Sequence, residues 1–147
     1  MNSENTRRII EACPSLFDTM KEECDNMTNG VTFSPIAFGF ECGDGWADLL
    51  VELCEKIQSH LVTLSPESVY DIVALQVKEK YGSLRFYISS YDEVIECLID
   101  EYSRKSRYVC ETCGKPGKIR GSVWLYAACN DHTKDGDHDT TTEPNVP

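Results

Sequence analysis

At 147 residues with 41% hydrophobic content, the chain has room for one domain of modest core, or one domain with a small metal-held appendage. Its formal net charge of −11 argues against a non-specific coat for DNA and favours a cytosolic protein. No apolar run of about 18 residues occurs and the start Met1-Asn2-Ser3-Glu4-Asn5 is polar, so neither membrane insertion nor secretion is expected.

In chain order, residues 4–13 predict a short helix with Ile9 and Ile10 on its apolar side, stopped by Pro14. A second short helix is expected over 15–24. Residues 25–44 set Asn, Gly, Thr and Pro between Phe33, Ile36, Phe38 and Phe40, which predicts an irregular loop lying against the core. A longer helix is predicted from Asp44 as N-cap to about His60. Its stripe is Trp46, Leu49, Leu50, Leu53, Cys54 and Ile57 at helical spacing, all read as core.

Residues 69–80 then alternate, with Val73, Leu75 and Val77 inward and Ala74, Gln76, Lys78 and Lys80 outward. Tyr81-Gly82 supplies a turn. The return strand places Leu84, Phe86 and Ile88 inward, Arg85 and Tyr87 outward, completing a β-hairpin. Glu79 would point inward under strict alternation, which predicts a bulge near the turn. Ser90-x-x-Glu93 reads as the capping box of the next helix. That helix carries Val94, Ile95, Leu98, Ile99 and Tyr102 on one side and Asp92, Glu96, Asp100 and Glu101 on the other. Beyond His132 no apolar period remains, and a disordered acidic tail is expected.

The strongest chemical signal is Cys110-x2-Cys113 followed, after fifteen residues, by Cys129-x2-His132. Two close pairs of soft or borderline ligands around one hairpin are what tetrahedral Zn²⁺ requires. Gly114 stands where a knuckle needs positive φ, and Gly117 and Gly121 punctuate the span. With all four ligands used no position stays open for water, so the zinc is expected to be structural. Cys13, Cys24, Cys42, Cys54 and Cys97 are odd in number and unpaired in spacing, and are read as reduced, buried thiols. The expected fold class is therefore α+β. Amphipathic helices pack on a small antiparallel hairpin or sheet over 1–105, a zinc-ribbon or treble-clef-like module covers 106–133, and the tail covers 134–147.

Two basic surfaces follow from the pattern. Gln76, Lys78, Lys80, Arg85 and Tyr87 gather on one face of the hairpin, where fixed cations beside an aromatic ring suit a phosphate-bearing ligand. From Arg104 to Arg120 six basic residues face the single acid Glu111, a net +5 that leaves −16 on the remainder. Within that segment Arg107, Lys115, Lys118 and Arg120 form a second basic surface. Catalytic machinery is scarce: His132 is a ligand, His60 ends a helix and His138 lies in the tail. The chain is read as not an enzyme.

Three strings carry a resemblance: Phe38-Gly-Phe-Glu-Cys-Gly-Asp-Gly-Trp46, Gln76-Val-Lys-Glu-Lys-Tyr-Gly-Ser-Leu-Arg-Phe-Tyr87, and Cys110-x2-Cys-Gly-x2-Gly closed by Cys129-x2-His132. Together they resemble small zinc-knuckle proteins encoded by bacteriophages and prophages, a group of unassigned activity. The resemblance implies an accessory protein in the bacterial host cytoplasm, of the kind that inhibits host defence by binding an enzyme or sequestering a nucleotide signal. The expected function is thus a non-enzymatic, zinc-stabilised protein that binds a host protein or a phosphate-bearing small ligand. One alternative is a nucleic-acid-binding regulator that reads through the basic zinc hairpin. Another is an acidic mimic of DNA built on Asp92, Glu93, Glu96, Asp100 and Glu101.

Overall fold

A computed structural model describes residues 1–17, 39–65, 69, 72–134 and 136. Among these residues, three helices, α1 (Ser3–Ala12), α2 (Ala47–Leu61) and α3 (Glu93–Ser106), accompany two small sheets. In the first sheet β1 (Phe40–Glu41) runs parallel to β2 (Ala74–Lys80), which pairs antiparallel with β3 (Ser83–Ile88). The second is an antiparallel pair, β4 (Lys118–Arg120) and β5 (Tyr126–Ala128). The mixed helix-and-sheet class is as the sequence implies. No described helix is long and apolar enough to cross a membrane.

The stripe of α2 is buried along its whole length, and Trp46, Leu50, Leu53, Cys54 and Ile57 lose essentially all exposure. It packs between α1 and α3, while α3 also lies along β3. Phe17, on the 3-10 turn Pro14–Phe17 that follows α1, meets Phe40 edge-on at 5.6 Å and Phe86 at 6.4 Å. These rings join the helical layer to the sheet. Of the helix expected over 15–24, residues 18–24 lie outside the described residues, as do Phe33, Ile36 and Phe38.

Several local expectations give way to tertiary structure. Phe40 and Glu41, read as loop, form a parallel strand in register with Val77 and Lys78. Two residues are too few to show alternation, and it is β2 that orders them. The bulge falls at Leu75, between the pairs Ala74↔Ile88 and Gln76↔Tyr87, and not at the turn. It flips the phase, so Ala74 is buried while Leu75 is only half-buried. Glu79 keeps its inward register because its carboxylate accepts the Gly82 N–H at 2.6 Å, closing the Tyr81-Gly82 turn.

Asp44 does not cap α2, which a 3-10 turn over Asp44–Trp46 precedes. Its carboxylate instead accepts the Asn2 N–H at 2.7 Å and the Asn5 amide at 3.0 Å, fastening α1. Cys97, expected buried, is exposed on α3, and Val94 is 47% exposed at the helix start.

The N-cap of α3 is Asp92 rather than Ser90: its carboxylate accepts the Ile95 N–H at 3.0 Å and contacts His60 Nε2 at 3.0 Å. Partial burial works against the Asp92 charge. The Ile95 N–H and His60 outweigh it and hold the carboxyl below its ordinary value. One side chain thus starts α3 and ties it to the end of α2. Asp92→Ala is expected to lower stability by about 1–2 kcal/mol, and Asp92→Asn, which still caps, by less. Urea unfolding of both variants checks this; equal losses would leave the His60 contact as the only contributor.

Candidate metal centre

The metal centre begins with a tight knuckle. Cys110 N–H donates to the Lys115 carbonyl at 2.8 Å, and Gly114 N–H donates to the Cys110 carbonyl at 2.9 Å. Gly114 has φ +75°, the positive value its position suggested. After β4 and β5 return the chain, a 3-10 turn over Asn130–His132 brings the last ligand under Cys129. Cys110, Cys113, Cys129 and His132 then offer three sulfurs and one imidazole nitrogen, all within 4.8 Å of one another.

The individual spacings are Cys113 Sγ to Cys129 Sγ 3.7 Å, Cys110 Sγ to His132 Nδ1 3.5 Å, and Cys129 Sγ to His132 Nδ1 3.3 Å. A tetrahedron with ordinary zinc bond lengths has edges of about 3.8 Å between sulfurs and about 3.6 Å from sulfur to nitrogen. These three separations match those a single ion requires, and the remaining pairs lie within 4.8 Å. Burial opposes ionisation of the Cys110 thiol, but the backbone N–H groups of Cys129, Cys113 and Thr112 outweigh it and bring it down to about 6. A group of this kind is able to hold a metal ion.

The knuckle is not an appendage. Glu111, between the first two cysteines, accepts the Gly43 N–H on its carboxylate and the Gly45 N–H on its carbonyl, each at 2.8 Å. Its own N–H donates to Ala127 of β5 at 2.9 Å. Burial pushes the Glu111 carboxyl up, against the opposing bond from Gly43. Trp46 Nε1 donates to the Val109 carbonyl at 2.9 Å. On the other side the Tyr81-Gly82 turn abuts the β4–β5 hairpin. A Cβ on Gly82 would lie 2.5 Å from Ile119 Cδ1 and 3.3 Å from the Tyr126 backbone.

The sequence pointed to none of Glu111, Gly43 or Gly45 as joint residues. The signal lay in two glycines flanking one acid ahead of a buried Trp, a pattern that close backbone approach demands.

Gln76 stands opposite Tyr87 and Lys78 opposite Arg85, with Lys80 next along β2. Glu41 joins them from the β1 edge, its carboxylate accepting the Gln76 amide at 2.9 Å. Arg85 also donates to Ser103 Oγ at 3.3 Å.

The second basic surface does not assemble. Arg120 is 7% exposed, and its guanidinium donates to Asn130 Oδ1 at 2.6 Å and toward the Ala128 carbonyl at 3.4 Å, bracing the hairpin. Lys115 pairs with Asp131 at 3.2 Å. Arg107 remains exposed and Lys118 half-buried. On the acidic side of α3, Asp92 caps, Asp100 pairs with Arg104 and Glu101 pairs with Lys105, while Glu93 and Glu96 are exposed.

The class defined by fold and site is a mixed α and β chain with a Cys3His cluster built into its core joint. No protein-family model matches the chain, and neither a curated protein nor a solved structure matches it.

Proposed function

We propose that this is a non-enzymatic, zinc-stabilised accessory protein of phage type that captures a phosphate-bearing ligand, free or carried on a host protein, through the outer face of the β2–β3 hairpin. One observation carries the reading. Arg8, Lys56, Arg104, Lys105 and Lys115 each pair with a carboxylate. Among the described residues, Lys78, Lys80 and Arg85 have no such partner, and they share one surface. Cations left unpaired together in a chain of net charge −11 are arranged for an anion from outside.

Zinc is the metal that three thiolates and one imidazole in a tetrahedral set favour. A knuckle, a hairpin and a helical turn bearing the last pair make a treble-clef-like module. Four protein ligands fill the coordination sphere, which supports a structural rather than a catalytic ion. His60, the other described histidine, is tied to Asp92. The phage assignment and the bacterial cytoplasm rest on the three sequence strings, and in that setting capture of a nucleotide signal or of a defence enzyme inhibits host defence.

The test is calorimetric titration of the purified chain with inorganic tripolyphosphate, after native mass spectrometry establishes its metal. One zinc per chain and saturable binding are expected. Lys78→Ala with Arg85→Ala should reduce affinity at least about tenfold while the protein stays folded. Both residues are half-buried, and the melt should be lowered only by loss of the Arg85–Ser103 bond and the Lys78–Tyr87 contact. Full binding by the doubly substituted protein would make this face scaffold.

A further inference from the structure

The hairpin face carries aromatic rings as well as charge. Lys78 Nζ lies 5.8 Å from the centre of the Tyr87 ring, and Lys80 Nζ lies 5.5 Å from that of Tyr81. The lysine sits over one face of each ring, yet Tyr81 stays 61% exposed and Tyr87 45% exposed. An inorganic anion would engage the lysines and leave both rings without a role. A ligand with flat, apolar groups joined by phosphates would use both.

Spacing narrows the ligand further. Lys78 and Lys80 are two residues apart on one strand, so the two lysines are spaced at about 7 Å, with Tyr87 (opposite Gln76) and Tyr81 (at the turn) standing at the two ends of that pair. That step is comparable with the separation of successive phosphates along an extended single strand. At the turn, Gly82 abuts Tyr126 of the zinc hairpin. Two residues from Tyr126, in the loop joining β4 and β5, Trp124 is 70% exposed. A third ring therefore stands on the structure against which the turn is docked. On the opposite side Glu41 repels phosphate and confines the path to β2 and β3.

From these features we infer that the face binds a short single strand of nucleic acid, with bases stacked on Tyr87 and Tyr81 and phosphates held by Lys78, Lys80 and Arg85. The inference rests on the anion-binding reading of the same face and adds the bases. A duplex is disfavoured because its bases are already stacked and paired, and because the acidic remainder of the chain repels a second phosphate track.

Fluorescence anisotropy with a labelled oligothymidylate of about twelve residues tests it, using the metal-loaded full chain. Saturable binding is expected, with a log-log salt slope of about −2 from three cations on a single strand. The same sequence in duplex form should bind at least about tenfold more weakly. Tyr81→Leu with Tyr87→Leu keeps every charge, and should weaken the single strand at least about tenfold while leaving tripolyphosphate binding unchanged. Circular dichroism melts confirm that this variant is folded. If tripolyphosphate binds but the tyrosine substitutions do not alter oligothymidylate affinity, or the duplex binds equally well, the nucleic-acid inference is overturned and the anion site survives. If neither probe binds, both readings fall together.

Discussion

Loss of the metal is expected to be the most damaging single change to this protein. Chelation, or Cys110→Ser, should melt the β4–β5 hairpin and loosen the body behind it. Structural zinc in small modules contributes an apparent free energy of about 10–16 kcal/mol, as large as the whole stability of a typical domain. The strands of the module are short, β4 and β5 being three residues each, so its own sheet contributes little. The damage should spread, because Val109 and Glu111 of the knuckle take hydrogen bonds from Trp46, Gly43 and Gly45 at the start of α2. Trp46 is buried at that joint whereas Trp124 is already exposed, so a red shift of tryptophan emission reports Trp46 meeting water. The expected result is a large fall in melting temperature with chelator, a red-shifted emission, and loss of one metal ion by native mass spectrometry. An unchanged melt in a protein shown to be metal-free would mean that hydrogen bonds and packing suffice.

How far the sequence reveals this fold depends on the range over which each signal acts. The stripe of α2 and the spacing of Cys110, Cys113, Cys129 and His132 are local patterns with one physical solution each, and both appear as read. The hairpin face is also local: alternation on both sides of Tyr81-Gly82 places Lys78 opposite Arg85. Where the reading fails, a partner distant in sequence decides. Asp44 has the composition of an N-cap, but Asn2 and Asn5 claim its carboxylate. Arg120 belongs to a basic run, but Asn130 and Ala128 draw it inside. Glu111 looked like a stray acid among cations, yet it joins the knuckle to the body because the Gly43 and Gly45 N–H groups need acceptors there.

The same contacts give a second interpretation of the three strings on which the proposed phage assignment rests. Gly43, Gly45 and Trp46 of the first string touch the knuckle of the third, and Gly82 of the second touches the β4–β5 hairpin. Much of what makes these strings distinctive therefore serves one structural joint. The outward residues of the second string, Gln76, Lys78, Lys80, Arg85 and Tyr87, with Tyr81 at its turn, remain available for a ligand.

Gly45→Ala puts that division to the test. A methyl at Gly45 would fall on the Cys110 carbonyl oxygen and lie 2.5 Å from Gly114 N and 2.6 Å from Cys113 N. All three are backbone atoms of the knuckle, which cannot swing aside as a side chain would. To make room the knuckle must move, and with it two of the four metal ligands. The expected loss is about 3 kcal/mol of stability, at the upper end of overpacking costs, together with weakened metal affinity. Gly39→Ala is the control. Its φ of +73° imposes about 1–2 kcal/mol of backbone strain, yet a Cβ there meets nothing within 4 Å among the described residues. Metal affinity should be unchanged in that variant. Competition against a chromogenic chelator, alongside urea unfolding, separates the two effects. Gly45 lies outside the positive-φ region, so alanine in open space would be neutral or stabilising by about 0.4–1 kcal/mol. A stable Gly45→Ala protein with native metal affinity would show that the knuckle has slack. Loss of both would make this glycine the point at which the first string and the metal centre become one structure.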